Sequence, residues 1–324
     1  MCEVLVPVIF LALAFDFING FHDTANAVAT SLATGALTPR SAILLATTLN
    51  LLGALTFTGV ALTIAGGIID TAILFNNPKT ISAALLAAIV WNLLTWLGGL
   101  PSSSSHALVG ALTGATLAAT GPIGVNLAGL STIFQALVLS PLLAVTAGFA
   151  VMTVVFCLSG GRTGPHLNRR FRYWQRLAAA LQAFSHGTND AQKTMGVITL
   201  ALVLTGYQES FVVPLWVKVL SALALALGTS CGGWRIIRTV GRGITHLDPP
   251  AGFAADMGSA MVILTATLLG LPVSTTHVIS SSITGVGLTR GAKAVSWSTV
   301  ARILLAWVLT LPATTALGAL FYFL

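Results

Sequence analysis

Gly99-Leu100-Pro101-Ser102-Ser103-Ser104-Ser105-His106 recurs in the second half of the chain as Gly270-Leu271-Pro272-Val273-Ser274-Thr275-Thr276-His277. Extended to Thr113-Gly114 and Thr284-Gly285, the match holds 7 identities in 16 positions. Earlier in each half, Gly20-Phe21-His22-Asp23-Thr24-Ala25-Asn26 aligns with Gly187-Thr188-Asn189-Asp190-Ala191-Gln192-Lys193 at an offset of 167, against 171 for the later motif. Two motifs repeated in the same order mark an internal duplication, and the difference in offset fits within loops.

The medium around the duplication follows from composition. Of 324 residues, 56% are hydrophobic and only 7% are charged, whereas soluble domains carry about 25% charged residues; the mean hydropathy is +0.93. Stretches such as 41–65, 81–100, 134–158 and 301–324 approach or exceed the roughly 20 residues that cross a bilayer core. A hydropathy pass gives ten segments, 4–36, 41–66, 80–99, 102–120 and 128–158, then 177–205, 211–233, 250–269, 272–289 and 296–322. The expected fold is an all-α integral membrane protein of about 10–12 transmembrane segments, with residues 1–158 as one repeat, 159–176 as a basic cytoplasmic linker and 177–324 as the second repeat. The apolar run 4–14 has no basic flank and leads into Asp16, Asn19, His22 and Asp23, so it reads as part of the mature protein.

Arg162, Arg169, Arg170, Arg172 and Arg176 supply five of the fifteen cations within the linker, a pattern of a cytoplasmic loop and not of a nucleic-acid face. With the linker inside, Arg40, Arg235, Arg238, Arg242, Arg290 and Lys293 also fall inside, while Lys79 and Lys218 fall outside. An odd number of crossings per half makes the halves inverted repeats, an architecture in which secondary transporters place their site at the repeat interface. Cys2, Cys157 and Cys231 have neither disulfide nor metal-ligand spacing and read as packing residues.

The candidate site begins with the matched acids Asp23 and Asp190, each of which costs about 2.5–3.5 kcal/mol or more at mid-bilayer if ionised and uncompensated. Asp23 and Asn26 share a helical face and offer oxygen ligands to a hard cation; in the second half the face carries Asp190 with Lys193, and Asn189 adds an amide oxygen. Lys193, three residues after Asp190, either neutralises that acid or joins Gln192 in holding an anion. Gly20 and Gly187 predict an interruption of each helix just before its aspartate, giving interrupted helices or re-entrant hairpins.

Ser103, Ser104 and Ser105, with Ser274, Thr275 and Thr276, follow a proline at a helix start, where free backbone N–H groups, the helix dipole and hydroxyl donors together make an anion site. His106 and His277 read the anion, relay a proton or close each hairpin by hydrogen bonding, and His22 is a proton acceptor or a hydrogen-bonding partner. Asp256, whose counterpart near Leu85 is uncharged, is a proton or gating site or else an acid at a helix start. Gly110 with Gly114, and Ser281 with Gly285, have small-residue packing spacing. An intramembrane Ser/His hydrolase is disfavoured because Ser105 and His106 are adjacent on one helix and diverge by about 100°.

Asn19 to Ala27, Phe184 to Lys193 and the two Pro-x-Ser-Ser/Thr-Ser/Thr-His stretches resemble the inorganic phosphate transporter (PiT) family, in particular its bacterial low-affinity members, over nearly the whole chain. The resemblance implies a homodimer in the cell membrane that imports inorganic phosphate by symport with Na⁺ or H⁺. No cofactor is implied, although phosphate as a divalent metal complex is a cargo of bacterial members. The Asp motifs would handle cations and the hydroxyl motifs phosphate. Some relatives carry sulfate, which stands as the alternative anion. Asn50 falls where animal members carry a glutamate, and Asp256 where the family commonly has one.

Overall fold

The segment from Thr95 to His106 shows how the repeated motif makes a hairpin. In the computed structural model, which describes residues 2–75, 77–160 and 164–324, helix α4 (Lys79–Leu97) ends at Gly99, whose φ of 62° is left-handed. The Leu100 N–H reaches Thr95 O at 2.9 Å and the Gly99 N–H reaches Trp96 O at 3.0 Å, the pair of bonds that closes a helix on a left-handed glycine. Pro101 prevents resumption, and Ser103 then caps α5 (Ser104–Thr120) by accepting the His106 N–H. The second half repeats every step. α10 (Pro249–Leu268) closes on Gly270 at φ 69°, with Leu271 N–H to Ala266 O at 2.8 Å, and Ser274 caps α11 (Thr275–Leu288).

The remaining elements pair in the same way. α1 (Cys2–Ala33) corresponds to α7 (Pro165–Leu204), α2 (Pro39–Ala54) with α3 (Gly59–Gly67) to α8 (Leu215–Cys231) with α9 (Trp234–Gly243), and α6 (Leu127–Leu158) to α12 (Trp297–Phe323). Isolated antiparallel bridges sit at Ile69 with Val125 and at Thr245 with Val295, again one per half. Among the described residues, α1, α4, α6, α10 and α12 are long and apolar enough to cross a membrane; α2 with α3 and α8 with α9 form two further apolar pairs, bent by 68° and 72°.

Each expected break before an aspartate is absent. α1 and α7 run unbroken through Gly20 and Gly187 for 32 and 40 residues, about 48 and 60 Å at 1.5 Å per residue. The glycines serve close approach instead. A Cβ on Gly20 would stand 2.3 Å from Leu225 O, and one on Gly187 2.3 Å from Asn50 O, so α1 crosses α8 and α7 crosses α2 backbone to backbone. The interruptions fall at the α2/α3 and α8/α9 junctions, inside or beyond spans the hydropathy reading took as single, and α9 lies outside its ten segments. The stretch read as a linker is helical from Pro165 onward, with Arg169, Arg170, Arg172 and Arg176 on the first turns of α7. Arg162 lies outside the described residues, as do the side chain of Cys2 and its packing role.

The halves interlock. α6 packs on α10 and α11 of the other half, α12 packs on α4 and α5, and α1 and α7 run side by side. Their direction is opposite, for Gln182 lies at Asn26 O (3.1 Å) while His186 lies near Asp23. Gly114 fits against Thr315 O and Gly285 against Val145 O, where added Cβ atoms would approach to 1.9 and 2.0 Å. Gly285→Leu is therefore expected to push α6 off α11 and lower the Tm of the purified protein by several degrees, whereas Gly121→Ala, with nothing within 4 Å, strains only an exposed turn and should shift it less.

Candidate functional site

The opposed run of α1 and α7 brings Asp23 and Asp190 to one place, and the hairpins bring the starts of α5 and α11 to the same place. Asp23 Oδ1 takes His22 Nδ1 at 2.7 Å and the Thr276 hydroxyl at 3.2 Å, and its Oδ2 takes the Ser104 hydroxyl at 3.0 Å. One carboxylate thus holds the first turns of both hairpin helices. Asp190 pairs with Lys193 Nζ at 2.5 Å, lies 3.2 Å from His186 Nε2, and accepts from the Thr275 hydroxyl at 3.2 Å. Asn26 Nδ2 donates to Thr275 and Thr276 at 3.2 and 2.9 Å, while its Oδ1 has no partner. All of these groups are buried.

The arrangement follows the repeat and departs from it at one telling position. Ser104 and Thr275 occupy equivalent places and bond Asp23 and Asp190 respectively. Asn26, however, is matched by Lys193, so the second half carries a tethered ammonium where the first offers a neutral amide. Ligand atoms of Asp23, Asp190 and His186 lie within 4.8 Å of one another, a geometry that can also hold a metal ion. The N-terminal dipoles of α5 and α11 point at this acidic centre, which supports anions there as well as hydroxyl donors.

Two of the expected ligands are engaged elsewhere. Asn189 Nδ2 donates to Thr267 and Leu271 O while its Oδ1 accepts the Val273 N–H, so the amide pins the second hairpin turn. Gln192 Oε1 accepts the Ala61 N–H at the start of α3 and its Nε2 donates to Thr188 O. His22 serves as the first hairpin's counterpart of Asn189, reaching Thr95 at 3.1 Å. His106 and His277 stand with ring centroids 4.5 Å apart, His106 against Ser103 at 2.8 Å and His277 stacked on Trp307 at 3.7 Å. The Ser103 and His106 pairing belongs to the helix cap, and Ser105 donates to Val273 O across the repeats.

Asp256 sits within α10, fully buried, with Oδ1 accepting from Thr30 at 2.6 Å and Oδ2 unpartnered. One turn on, Ser259 donates to Gln182, whose amide reaches Asn26 O. His186 escaped the sequence reading although it is the counterpart of Asn19 and precedes Asp190 by four residues, a helical-face spacing. Its other nitrogen meets Asn50 Oδ1 at 3.1 Å, and Asn50 Nδ2 donates to Thr229.

Inverted helical repeats with two hairpins that converge on paired intramembrane acids define a secondary-transporter architecture. The sequence profile of the phosphate transporter family matches residues 19–162 and again 158–318, one match per half, and the chain belongs to that family. It is 52% identical over 98% of its length to a probable low-affinity inorganic phosphate transporter of Bacillus subtilis, of which 96% is covered. A protein described in the same words from Mycobacterium tuberculosis (strain ATCC 25618 / H37Rv) is 47% identical over 98% of this chain and 77% of its own. Among solved structures, "The sodium-dependent phosphate transporter" superposes with a TM-score of 0.90 at 26% identity, covering 99% of this chain and 98% of that one. The chain is thus a multi-pass membrane protein.

The caps and the site hydroxyls separate by experiment. Ser103→Ala and Ser274→Ala should each cost about 1 kcal/mol of stability, read as a lower Tm in detergent. Ser104→Ala, which spares the cap and removes a donor to Asp23, should leave Tm nearly unchanged and lower substrate uptake.

Proposed function

We propose that the protein imports inorganic phosphate by symport, binding the anion between the first turns of α5 and α11. The observation that carries this reading is the convergence of two capped helix N-termini and the hydroxyls of Ser104, Thr275 and Thr276 beside Asn26 and Lys193. Ser103 and Ser274 act by holding the caps. Asp23 and Asp190 carry the coupling charge, and the same hydroxyls bond them, so cation binding at the acids releases donors to the anion. Alternating access then shifts one interlocked hairpin pair against the other around this point. The family relationship and the name of the Bacillus relative support phosphate as the cargo, alone or as a divalent metal complex, with sulfate as the competing oxyanion.

Protons are the proposed coupling ion. Each central acid already has a basic partner, His22 on Asp23 and Lys193 with His186 on Asp190, and Lys193 occupies the place where the equivalent Asn26 leaves an oxygen free. Na⁺ is the second reading, supported by the 4.8 Å cluster of Asp23, His186 and Asp190 and by the name of the solved relative. Asp256 is assigned a gating or proton-relay role through Ser259 and Gln182 to Asn26. The basic first turns of α7 face the cytoplasm, which puts the N-terminal end of α1 outside. Homodimers in the cell membrane complete the proposal.

Uptake of labelled phosphate into proteoliposomes under separately imposed H⁺ and Na⁺ gradients is the test. The H⁺ gradient is expected to drive accumulation, and Asp23→Asn and Asp190→Asn should each reduce it to background while the protein remains folded. Wild-type accumulation by both variants would refute the roles of the acids.

Selectivity rests on proton inventory. At neutral pH phosphate retains O–H donors and sulfate has acceptors alone, so a carboxylate beside the anion accepts a hydrogen bond from the first and repels the second. Contacts of that kind discriminate by about 10⁴. About a hundredfold excess of sulfate should leave labelled phosphate uptake nearly unchanged; comparable inhibition by the two unlabelled anions would show that the acids do not contact the cargo.

A further inference from the structure

Asp16 is a buried carboxylate that the centre described above does not use. It precedes Asp23 by seven residues on α1, two helical turns, so both lie on one face, with Asn19 between them. The side chain is fully buried and neither carboxylate oxygen has a hydrogen-bond partner. Both polar atoms of the Asn19 amide and the Thr194 hydroxyl on α7 are also buried without partners. These two side chains lie beside the Asp16 carboxylate, outside hydrogen-bond geometry. Buried polar groups are partnered as a rule, and here both oxygens of the acid and the two oxygens beside it, on Asn19 and Thr194, are all unsatisfied. Hard oxygen donors of this kind are what a small cation selects.

Charge sets the valence. The other charges that act on Asp16 are Lys193 and Asp190, which pair with each other, leaving one negative charge to balance. His22 and Asp23 follow about two turns on along α1, paired together, and His186 is turned to Asp190 and Asn50. The other helices on α1 carry their titratable groups elsewhere: Arg40, Lys79 and Lys218 in the first turns of α2, α4 and α8, three arginines on α9, Asp256 at Thr30, and His277 at His106.

We propose that Asp16, Asn19 and Thr194 form a binding site for one monovalent coupling cation, a proton or Na⁺, separate from the Asp23 and Asp190 centre. The site rests on the symport reading and supplies its thermodynamic link. With a cation at Asp16, Lys193 is left to Asp190 and the anion; without one, the ammonium is drawn toward a second carboxylate and away from phosphate. Reciprocal stabilisation of cation and anion follows.

The experiment measures phosphate accumulation at equilibrium in proteoliposomes against imposed H⁺ or Na⁺ gradients. Each coupled proton contributes about tenfold in accumulation per pH unit, and each Na⁺ about tenfold per decade of its gradient. Asp16→Asn is expected to lose one such factor toward one of the two ions, which identifies the ion, while gradient-free exchange of labelled for unlabelled phosphate persists within about twofold. Asp16→Glu should retain the factor. Unchanged slopes toward both ions in Asp16→Asn overturn the site and leave the symport reading intact; no accumulation by the wild type under either gradient overturns the symport reading and the site with it. Should Asp16→Asn not fold, Thr194→Val keeps the charge and is expected to weaken the apparent affinity for the coupling ion about tenfold at unchanged maximal rate, and unaltered affinity overturns the assignment.

Discussion

An acid inside a bilayer is the constraint on which this structure depends. An uncompensated carboxylate at mid-membrane costs about 2.5–3.5 kcal/mol or more, and the chain places two of them at one point. Asp23 is stabilised by three separate elements, with His22 on its own helix, Ser104 at the start of α5 and Thr276 at the start of α11. Asp190 is stabilised by Lys193, His186 and Thr275. Asp23 takes donors from both halves and is fully satisfied only once the halves interlock, whereas Asp190 takes all three of its partners from the second half. Under the proposed symport, the bonds that make the fold tolerable to lipid are also the bonds a passing ion exchanges.

The duplication supplies these donors in pairs, and function enters where the pairs differ. His22 and Asn189 both reach into the last turn of the preceding hairpin arm, at Thr95 and Thr267, yet one is an imidazole and the other an amide that has no basic nitrogen. Asn26 and Lys193 stand in equivalent places, one with an oxygen free and one with a fixed positive charge. A symmetric scaffold thus holds an asymmetric centre. In the proposed symport that asymmetry is what lets two similar halves treat a cation differently.

Much of this was legible in the residues. Gly-Leu-Pro-x-Ser encodes its hairpin almost letter by letter, since glycine takes the left-handed turn, proline forbids continuation and serine caps the next helix. The matched acids and hydroxyl runs were also readable, and the structure brings Asp23, Asp190, Ser104, Thr275 and Thr276 together. The glycines before each acid misled because composition does not separate a glycine that breaks a helix from one that lets two helices touch, and Gly20 and Gly187 do the second. Asn189 and Gln192 carry side chains suited to ligands, but a backbone N–H and C=O within reach took them first. The basic stretch before residue 176 reads as a loop by charge, and arginine is nonetheless a good helix former, so α7 extends through it.

The exchange of closing helices between halves bears on how the protein is made. α5 finds its partner in α12, whose Trp307 indole donates to Pro101 O, and α12 follows every other helix in chain order. The first hairpin thus enters the bilayer during synthesis with its small-residue face at Gly110 and Gly114 uncovered, and it waits through the translation of some 180 residues for the helix that covers it. A ribosome that stalls before α12 leaves Pro101 O without the Trp307 indole and the backbone at Gly110 and Gly114 without its cover, so the last helix made is the one that completes the packing of the first half.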